Sequence, residues 1–374
     1  MRFRKYSEPF IRGCFGDLIF LRKEKYDPQK DTATYPCIEL ENIEQETCLL
    51  NGYFDSKKQK SIKTKFQSGD VLFGKLRPYL RKYALVDFNG VCSTEIWALY
   101  SNKLLNSYLF YYIQTEQFLE VANTSSGTKM PRAEWNLISS KEFRYPQSRE
   151  EMGCVSHFLS KIDQRIETQS KIIEDIETLR KWIINQQFTR TATNAIGEFI
   201  EQTSERNKIN CVDRVLSVSN KYGFINQSEQ FEDREVASDN RTNYKIVRRN
   251  DFAFNPARIN VGSIAKLDTY DIGIVSPMYI CFKSNNKNLD VDYLSNFFSS
   301  NSFKNALNKR LEGSVRQCLQ FDALCDIKLI VPSLDEQIFF VSKIKAITKK
   351  LAIEKDILSA YKKQKAYLLS NMFI

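Results

Sequence analysis

Two long stretches of the chain repeat apolar residues on an alternating three–four spacing and contain no helix breaker. From Arg149 to Phe188 there is no proline and a single glycine, Gly153. Ile162, Ile166, Ile173, Ile176 and Ile183 fall on a coiled-coil seam, with Gln169 and Arg180 at its two remaining positions. A helix of about 40 residues spans about 60 Å, more than a compact domain needs. From Ser333 to Ile374 the pattern returns: Ile344, Ile347, Leu351, Leu358, Tyr361 and Leu368 mark a seam that Glu354 and Lys365 interrupt. Each stretch follows a proline, Pro146 or Pro332, and the pairs Val155-Ser156 and Val341-Ser342 stand 186 positions apart. Neither stripe is stable in water, so the pattern predicts two long helices packed antiparallel on each other. The alternative is two independent amphipathic helices, each lying on its own domain.

Between these stretches the pattern shortens. Strand-like runs at Asp17–Leu21, Pro36–Leu40, Val71–Phe73, Tyr83–Val86 and Glu95–Leu99 are separated by turns such as Asn51-Gly52 and Asn89-Gly90. A helical segment is predicted over Leu104–Ala122, followed by a loop from Ser125 to Arg132. Residues 189–333 repeat this plan. Gly16-Asp17 corresponds to Gly197-Glu198, Asp70 to Asp251, Phe73 to Phe254 and Arg77 to Arg258. Gly127 and Gly313 each precede the next landmark proline by 19 positions. The division read from the sequence is a domain over 1–148, a long helix over 149–188, a second domain over 189–333 and a second long helix over 334–374. The expected fold is α+β, with two duplicated α/β domains separated by two long antiparallel coiled-coil helices in approximate two-fold symmetry. A single core with a coincidental likeness is the competing reading.

Composition narrows the function. At 374 residues the chain suits two domains rather than one core. Its formal charge of +10 points towards a polyanion, though charge alone does not identify one. Nine cysteines without a CxxC pair read as reduced, cytosolic thiols rather than disulfides or zinc ligands. No apolar window is long enough to span a membrane, and Arg12 and Asp17 break any signal-peptide pattern at the N-terminus.

Chemistry is hard to assemble from these residues. The one histidine, His157, lies inside the first long helix, so neither a Ser-His-Asp arrangement nor an HExxH zinc site can form. There is no P-loop and no GxGxxG. Asn255-Pro256-Ala257-Arg258 lacks the second proline and the aromatic of an amino-methyltransferase motif, and Asp326-Ile327-Lys328 is a fragment of a nuclease signature. The expectation is no catalytic residue and no metal in this chain.

Polyanion binding has better candidates. Lys75, Arg77, Arg81 and Lys82 lie in a turn shaped by Gly74 and Pro78, beside Tyr79. Arg248, Arg249, Asn255 and Arg258 are read as the matching set in the second domain. The loops holding Thr128, Lys129 and Arg132, and Ser314, Arg316 and Gln317, supply a second set. Arginine grips phosphate or the guanine O6/N7 edge with paired hydrogen bonds, and lysine supplies point charge. The same residues also fit ordinary solvated surface charge.

Taken together, the chain resembles the specificity subunit of a type I restriction-modification enzyme. The resemblance rests on SGDVLFGKLRPYLRK at 68–82 with GVCSTEIWAL at 90–99, on SSGTKMPRAEW at 125–135, on FRYPQSREEMGCVSHFLSKIDQRI at 143–166 and on VPSLDEQIFFVSKI at 331–344. The second copy departs from the first in replacing GKLRP with NPARI, and the first helix entry has Glu150-Glu151 where the second has Glu336-Gln337. The resemblance implies two target-recognition domains, each reading one half of a bipartite asymmetric site in double-stranded DNA. It implies helices that set the unread spacer and dock two copies of a modification subunit, which binds S-adenosylmethionine and methylates adenine. A restriction subunit using ATP and Mg would complete the complex, leaving this chain without a cofactor of its own. The alternatives are a recognition subunit whose partner fuses methylation and cleavage, a stand-alone nucleic-acid-binding regulator, and a structural adaptor.

Overall fold

The computed structural model describes residues 2–124, 130–227, 241–285, 287–311 and 318–373. It contains helices of 39 residues at Arg149–Gln187 and Leu334–Met372. Each opens with acidic residues, Glu150-Glu151 and Asp335-Glu336, where a helix N-terminus favours negative charge. The chain divides into two compact units, Met1–Ile172 with Glu354–Ile374, and Ile173–Ile353. This differs from the four-segment division read from the sequence, because the division falls inside both long helices. The physical reason is that each half-helix contributes apolar residues to the core of its own α/β domain. Met152, Val155, Leu159, Ile162, Leu368 and Phe373 join the core of the first unit, whereas Ile184, Phe188, Phe340, Val341 and Ile344 join that of the second.

The predicted seam is legible in burial. Ile162, Ile173, Ile344 and Leu368 are buried, while Ile166, Ile176, Ile183, Ile347, Leu351, Leu358 and Tyr361 are half-buried. Its polar positions are enclosed too. In the first unit Gln169 Nε2 donates to the Glu354 carbonyl at 3.1 Å and to the Glu354 carboxylate. Lys365 meets Asp163 at 2.7 Å, and Tyr111 donates to the same carboxylate at 2.8 Å. Pairing of Gln169 with Glu354 and of Asp163 with Lys365 makes the two half-helices of this unit antiparallel.

In the first unit the strands follow as β1 (Ile11–Cys14), β2 (Ile19–Leu21), β3 (Lys25–Tyr26), β4 (Pro36–Ile38), β5 (Phe54–Asp55), β6 (Lys63–Phe66), β7 (Val71–Gly74), β8 (Tyr83–Leu85), β9 (Gly90–Cys92), β10 (Ile96–Ser101) and β11 (Glu142–Tyr145). A four-stranded sheet runs β2-β10-β7-β8, a five-stranded sheet runs β3-β6-β9-β4-β5, and β1 pairs with β11. The second unit has β12 (Asn194–Ala195), β13 (Ile200–Thr203), β14 (Leu216–Ser219), β15 (Gly223–Asn226), β16 (Lys245–Arg248), β17 (Phe252–Phe254), β18 (Ile264–Lys266), β19 (Ile272–Val275), β20 (Ile280–Ser284) and β21 (Lys328–Leu329). Its sheet β13-β20-β17-β18 has the order of the first, and β12 pairs with β21 as β1 does with β11.

Registers agree as well: Leu99 faces Val71 as Phe282 faces Phe252, and Ser101 faces Ile19 as Ser284 faces Ile200. Both central strands, β7 and β17, are buried throughout, so their continuous apolar runs fit a strand covered on two faces. The landmark glycines have one cause. A Cβ on Gly16 would lie 2.8 Å from the Ser139 Cβ, and one on Gly197 would lie 2.8 Å from the Cys325 Cβ. Both contacts are with the last residue of a five-residue helix, Trp135–Ser139 or Phe321–Cys325.

The helix expected over Leu104–Ala122 is two helices, Asn106–Tyr112 and Glu116–Asn123. Thr115 interrupts it. Its hydroxyl donates to the Tyr112 carbonyl at 2.7 Å and accepts from the Phe118 amide at 3.4 Å, so it ends one helix and caps the next. No helix among the described residues is long and apolar enough to cross a membrane.

Candidate nucleic-acid interface

The candidate loop of the first domain leaves β7 at Gly74 and returns as β8 at Tyr83. Pro78 opens a single turn, Pro78–Leu80, and the residues bracketing it, Arg77 and Arg81, have φ of 52° and 50°. Side chains with a Cβ avoid this left-handed region at a cost of about 1–2 kcal/mol each, so the surroundings must fix the conformation. They do so through the backbone. Gly74 N–H donates to the Lys82 carbonyl at 2.9 Å, Lys75 N–H to Glu95 at 2.9 Å and Arg77 N–H to Pro131 at 2.8 Å. Ala133 N–H donates back to the Lys75 carbonyl at 2.8 Å. Thus the two loops singled out in the sequence, around 75–82 and 130–133, form one backbone-tied surface.

The side chains on that surface differ in what they are free to do. Lys75 is half-buried and Arg77 exposed, and neither forms an ion pair among the described residues. Tyr79, between the two arginines, is 52% exposed. Arg81 is paired with Glu116 at 2.8 Å. Arg132 holds Glu95 with two hydrogen bonds of 3.0 and 3.2 Å, and this contact raises the arginine's pKa. Lys82 is a correction to the expected set. Its ammonium donates to the Leu40 and Ile43 carbonyls at 2.6 and 2.8 Å, which makes it a brace inside the domain. Thr128 and Lys129 lie outside the described residues.

The second domain corrects the expected set further. Arg248 and Arg249 lie where the chain enters β17, and Asn255 and Arg258 where it leaves, so the four do not form one cluster. Arg248 makes a two-pronged contact with Glu205, which holds that carboxyl below its usual range, and Arg249 pairs with Asp271 at 2.7 Å. Asn255 is buried. Its side-chain oxygen accepts from the Ala257 amide at 3.1 Å and its amide nitrogen lies 3.6 Å from the Met278 sulfur, a turn-forming role. Arg258 is exposed and makes no side-chain hydrogen bond or ion pair among the described residues. Ser314, Arg316 and Gln317 lie outside them.

Of the expected cations that the structure describes, Lys75, Arg77 and Arg258 are therefore the ones available to a polyanion without first breaking an ion pair or a side-chain hydrogen bond. They follow equivalent central strands, β7 and β17, so each domain offers its free arginine from the same place in its sheet. His157 is exposed on its helix, and no group of three or more His, Cys, Asp or Glu residues among those described is placed to hold a metal.

Comparison with known proteins bears on this arrangement. The family model described as the type I restriction modification DNA specificity domain matches twice, over residues 13–178 and 195–362. The chain is 34% identical over 73 residues to the EcoDI specificity subunit of a type I restriction enzyme from Escherichia coli, covering 19% of this chain. It is 25% identical over 150 residues to the HindI specificity subunit from Haemophilus influenzae, covering 36% of this chain. The matched segments span 16% and 32% of those two relatives' own length. Among solved structures, a chain from work on assembly and conformational transition of the type I R-M system superposes with a TM-score of 0.65 at 15% identity, covering 97% of each chain. The type I S subunit from M. genitalium superposes at 0.57 with 14% identity, covering 100% of this chain and 99% of its own. These structural likenesses concern the fold.

Proposed function

The chain belongs to the type I restriction-modification DNA specificity family, carrying its domain twice, and we propose that it is the DNA-reading subunit of such an enzyme. Each domain reads one half of a bipartite asymmetric site, the first through Arg77 with Lys75 and the second through Arg258. One observation carries the reading: two sheets of identical order present different free cations from the same strand exit. A common scaffold with unlike loops suits two unlike half-sites. Arg77 and Arg258 have the chemistry to contact base edges, while Lys75 supplies charge to phosphate.

The reaction belongs to partners in this proposal. Two copies of a modification subunit bind S-adenosylmethionine and methylate adenine, and a restriction subunit using ATP and Mg completes the complex. A helix of 39 residues is about 58 Å long, and half-sites on one face of DNA recur about every 34 Å, so helices of this length are suited to setting an unread spacer. The test is to reconstitute the chain with its modification subunits and map methylated adenines. Arg77→Gln should relax one half of the methylated sequence and Arg258→Gln only the other. Methylation without sequence preference, or the same half altered by both substitutions, would refute the assignment.

A further inference from the structure

The second domain carries an exposed element outside the candidate loops. β14 and β15 form a hairpin with Ser219 opposite Gly223, leaving Asn220, Lys221 and Tyr222 at its tip. The Ser219 hydroxyl accepts from the Lys221 and Tyr222 amides at 3.2 and 3.4 Å, and Gly223 closes the turn at φ +67°. The two hydrogen bonds to Ser219 and the left-handed glycine that follows the tip fix its backbone, so the tip is built rather than loose. Its inner residues Leu216, Val218 and Phe224 are buried with Val247, Ala253 and Val275, which anchors the hairpin to the sheet beneath.

The tip adjoins the loop that carries Arg258. A Cβ on Gly262 would lie 3.6 Å from the Asn220 Cβ, and the Ser263 hydroxyl donates to the Val218 carbonyl at 3.1 Å. Ser263 N–H in turn donates to the Arg258 carbonyl at 3.2 Å. On this joined surface Tyr222 is 67% exposed, with the Lys221 ammonium 4.9 Å from its ring centroid. A ring fixed on a rigid turn, with no core to enter and a cation beside it, has the composition of a nucleic-acid contact rather than of packing.

The equivalent connection in the first domain has the opposite character. Val215 bridges Ile274 in parallel as β4 pairs with β9, which equates the chain between β4 and β5 with this hairpin. That connection, residues 39–53, holds Glu39, Glu41, Glu44 and Glu46 and no lysine or arginine. It braces Lys82, and although Glu39 is paired with Lys63, the carboxylates of Glu41, Glu44 and Glu46 form no ion pair among the described residues and would repel a phosphate backbone.

We propose that the hairpin tip Asn220-Lys221-Tyr222 is a second DNA-reading element of the second domain, acting beside Arg258, with no counterpart in the first. Lys221 holds a backbone phosphate, and the Asn220 amide and Tyr222 hydroxyl meet base edges of the second half-site. An asparagine amide matches the adenine N6/N7 edge, so loss of Asn220 falls most heavily on an adenine. This proposal rests on the DNA-reading function above, and its test separates the two.

The full chain, assembled with its modification subunits, is titrated with duplex carrying the mapped site over a range of salt, and methylated motifs are sequenced. Lys221→Gln should lower the slope of log K against log salt by about 0.9. Asn220→Ala and Tyr222→Ala should each cut discrimination at the second half-site by about fivefold to a hundredfold while the first half-site stays sharp. Arg77→Gln and Arg258→Gln are run alongside, with thermal unfolding of every variant to exclude misfolding. If those arginine variants lose selectivity and the hairpin variants leave slope and motif unchanged, the hairpin proposal is overturned and the wider reading stands. If none of the five substitutions changes binding or motif, both are overturned.

Discussion

Replacing Lys365 with methionine tests how the second long helix is fastened within the first unit. Lys365 is 11% exposed and its partner Asp163 24%, at 2.7 Å, and Tyr111 donates to the same carboxylate at 2.8 Å. Lys365→Met keeps most of the volume but leaves the Asp163 carboxylate largely enclosed with one hydrogen bond. Breaking a fully buried pair from one side costs about 3–5 kcal/mol, and the residual exposure of Asp163 reduces this to about 2–3 kcal/mol. Removing both charges with Asp163→Leu should recover much of that loss, less about 1 kcal/mol for the stranded Tyr111 hydroxyl. The assay is urea unfolding followed by the fluorescence of Trp97 and Trp135, both half-buried in this unit. A single substitution costing under about 0.5 kcal/mol, or a double variant less stable than the two single losses added together, would refute the reasoning.

Three further outcomes are expected. Lys82→Met should cost about 1–2 kcal/mol in stability by stranding the Leu40 and Ile43 carbonyls yet leave the salt slope of DNA binding intact, whereas Lys75→Gln should lower that slope by about 0.9. Gly16→Ala and Gly197→Ala should each destabilise by about 1–3 kcal/mol in denaturant unfolding, since each Cβ would meet a neighbour at 2.8 Å; neutrality at both sites would contradict the close approach. At Asp292 burial pushes the carboxyl up, but hydrogen bonds and charge from Lys266 and Lys345 outweigh it and hold the carboxyl below its usual range. Its folded-state pKa is thus depressed, so its contribution is present above about pH 4 and is lost as pH falls further; Asp292→Asn should flatten the acid limb of a stability–pH profile there.

The long helices were legible because their signal is local. Isoleucines three and four positions apart share a face whatever the rest of the chain does, and the polar positions Gln169, Glu354 and Lys365 find partners on that same face. The duplication was legible because Gly16 and Gly197 answer one steric demand. The state of the cations was not. Arg81, Arg132, Arg248 and Arg249 are neutralised by Glu116, Glu95, Glu205 and Asp271, each more than 20 positions away in sequence and brought near only by the tertiary fold. Lys82 reads as a fourth surface charge until the fold places two backbone carbonyls against it. The break at Thr115 escaped periodicity because the apolar face continues across it, from Tyr112 to Phe118. Hairpin 216–226 escaped because its strands are only four residues long and the second, with Phe224 and Ile225 adjacent, does not alternate.

The central claim is that each α/β domain reads its own half of one DNA site. Exchange of residues 189–333 for the equivalent domain of a relative, followed by genome-wide mapping of methylated adenines, tests it most directly. One half of the methylated sequence should be replaced while the other half and the spacer between them are retained. An unchanged map, or one in which both halves change together, would contradict it.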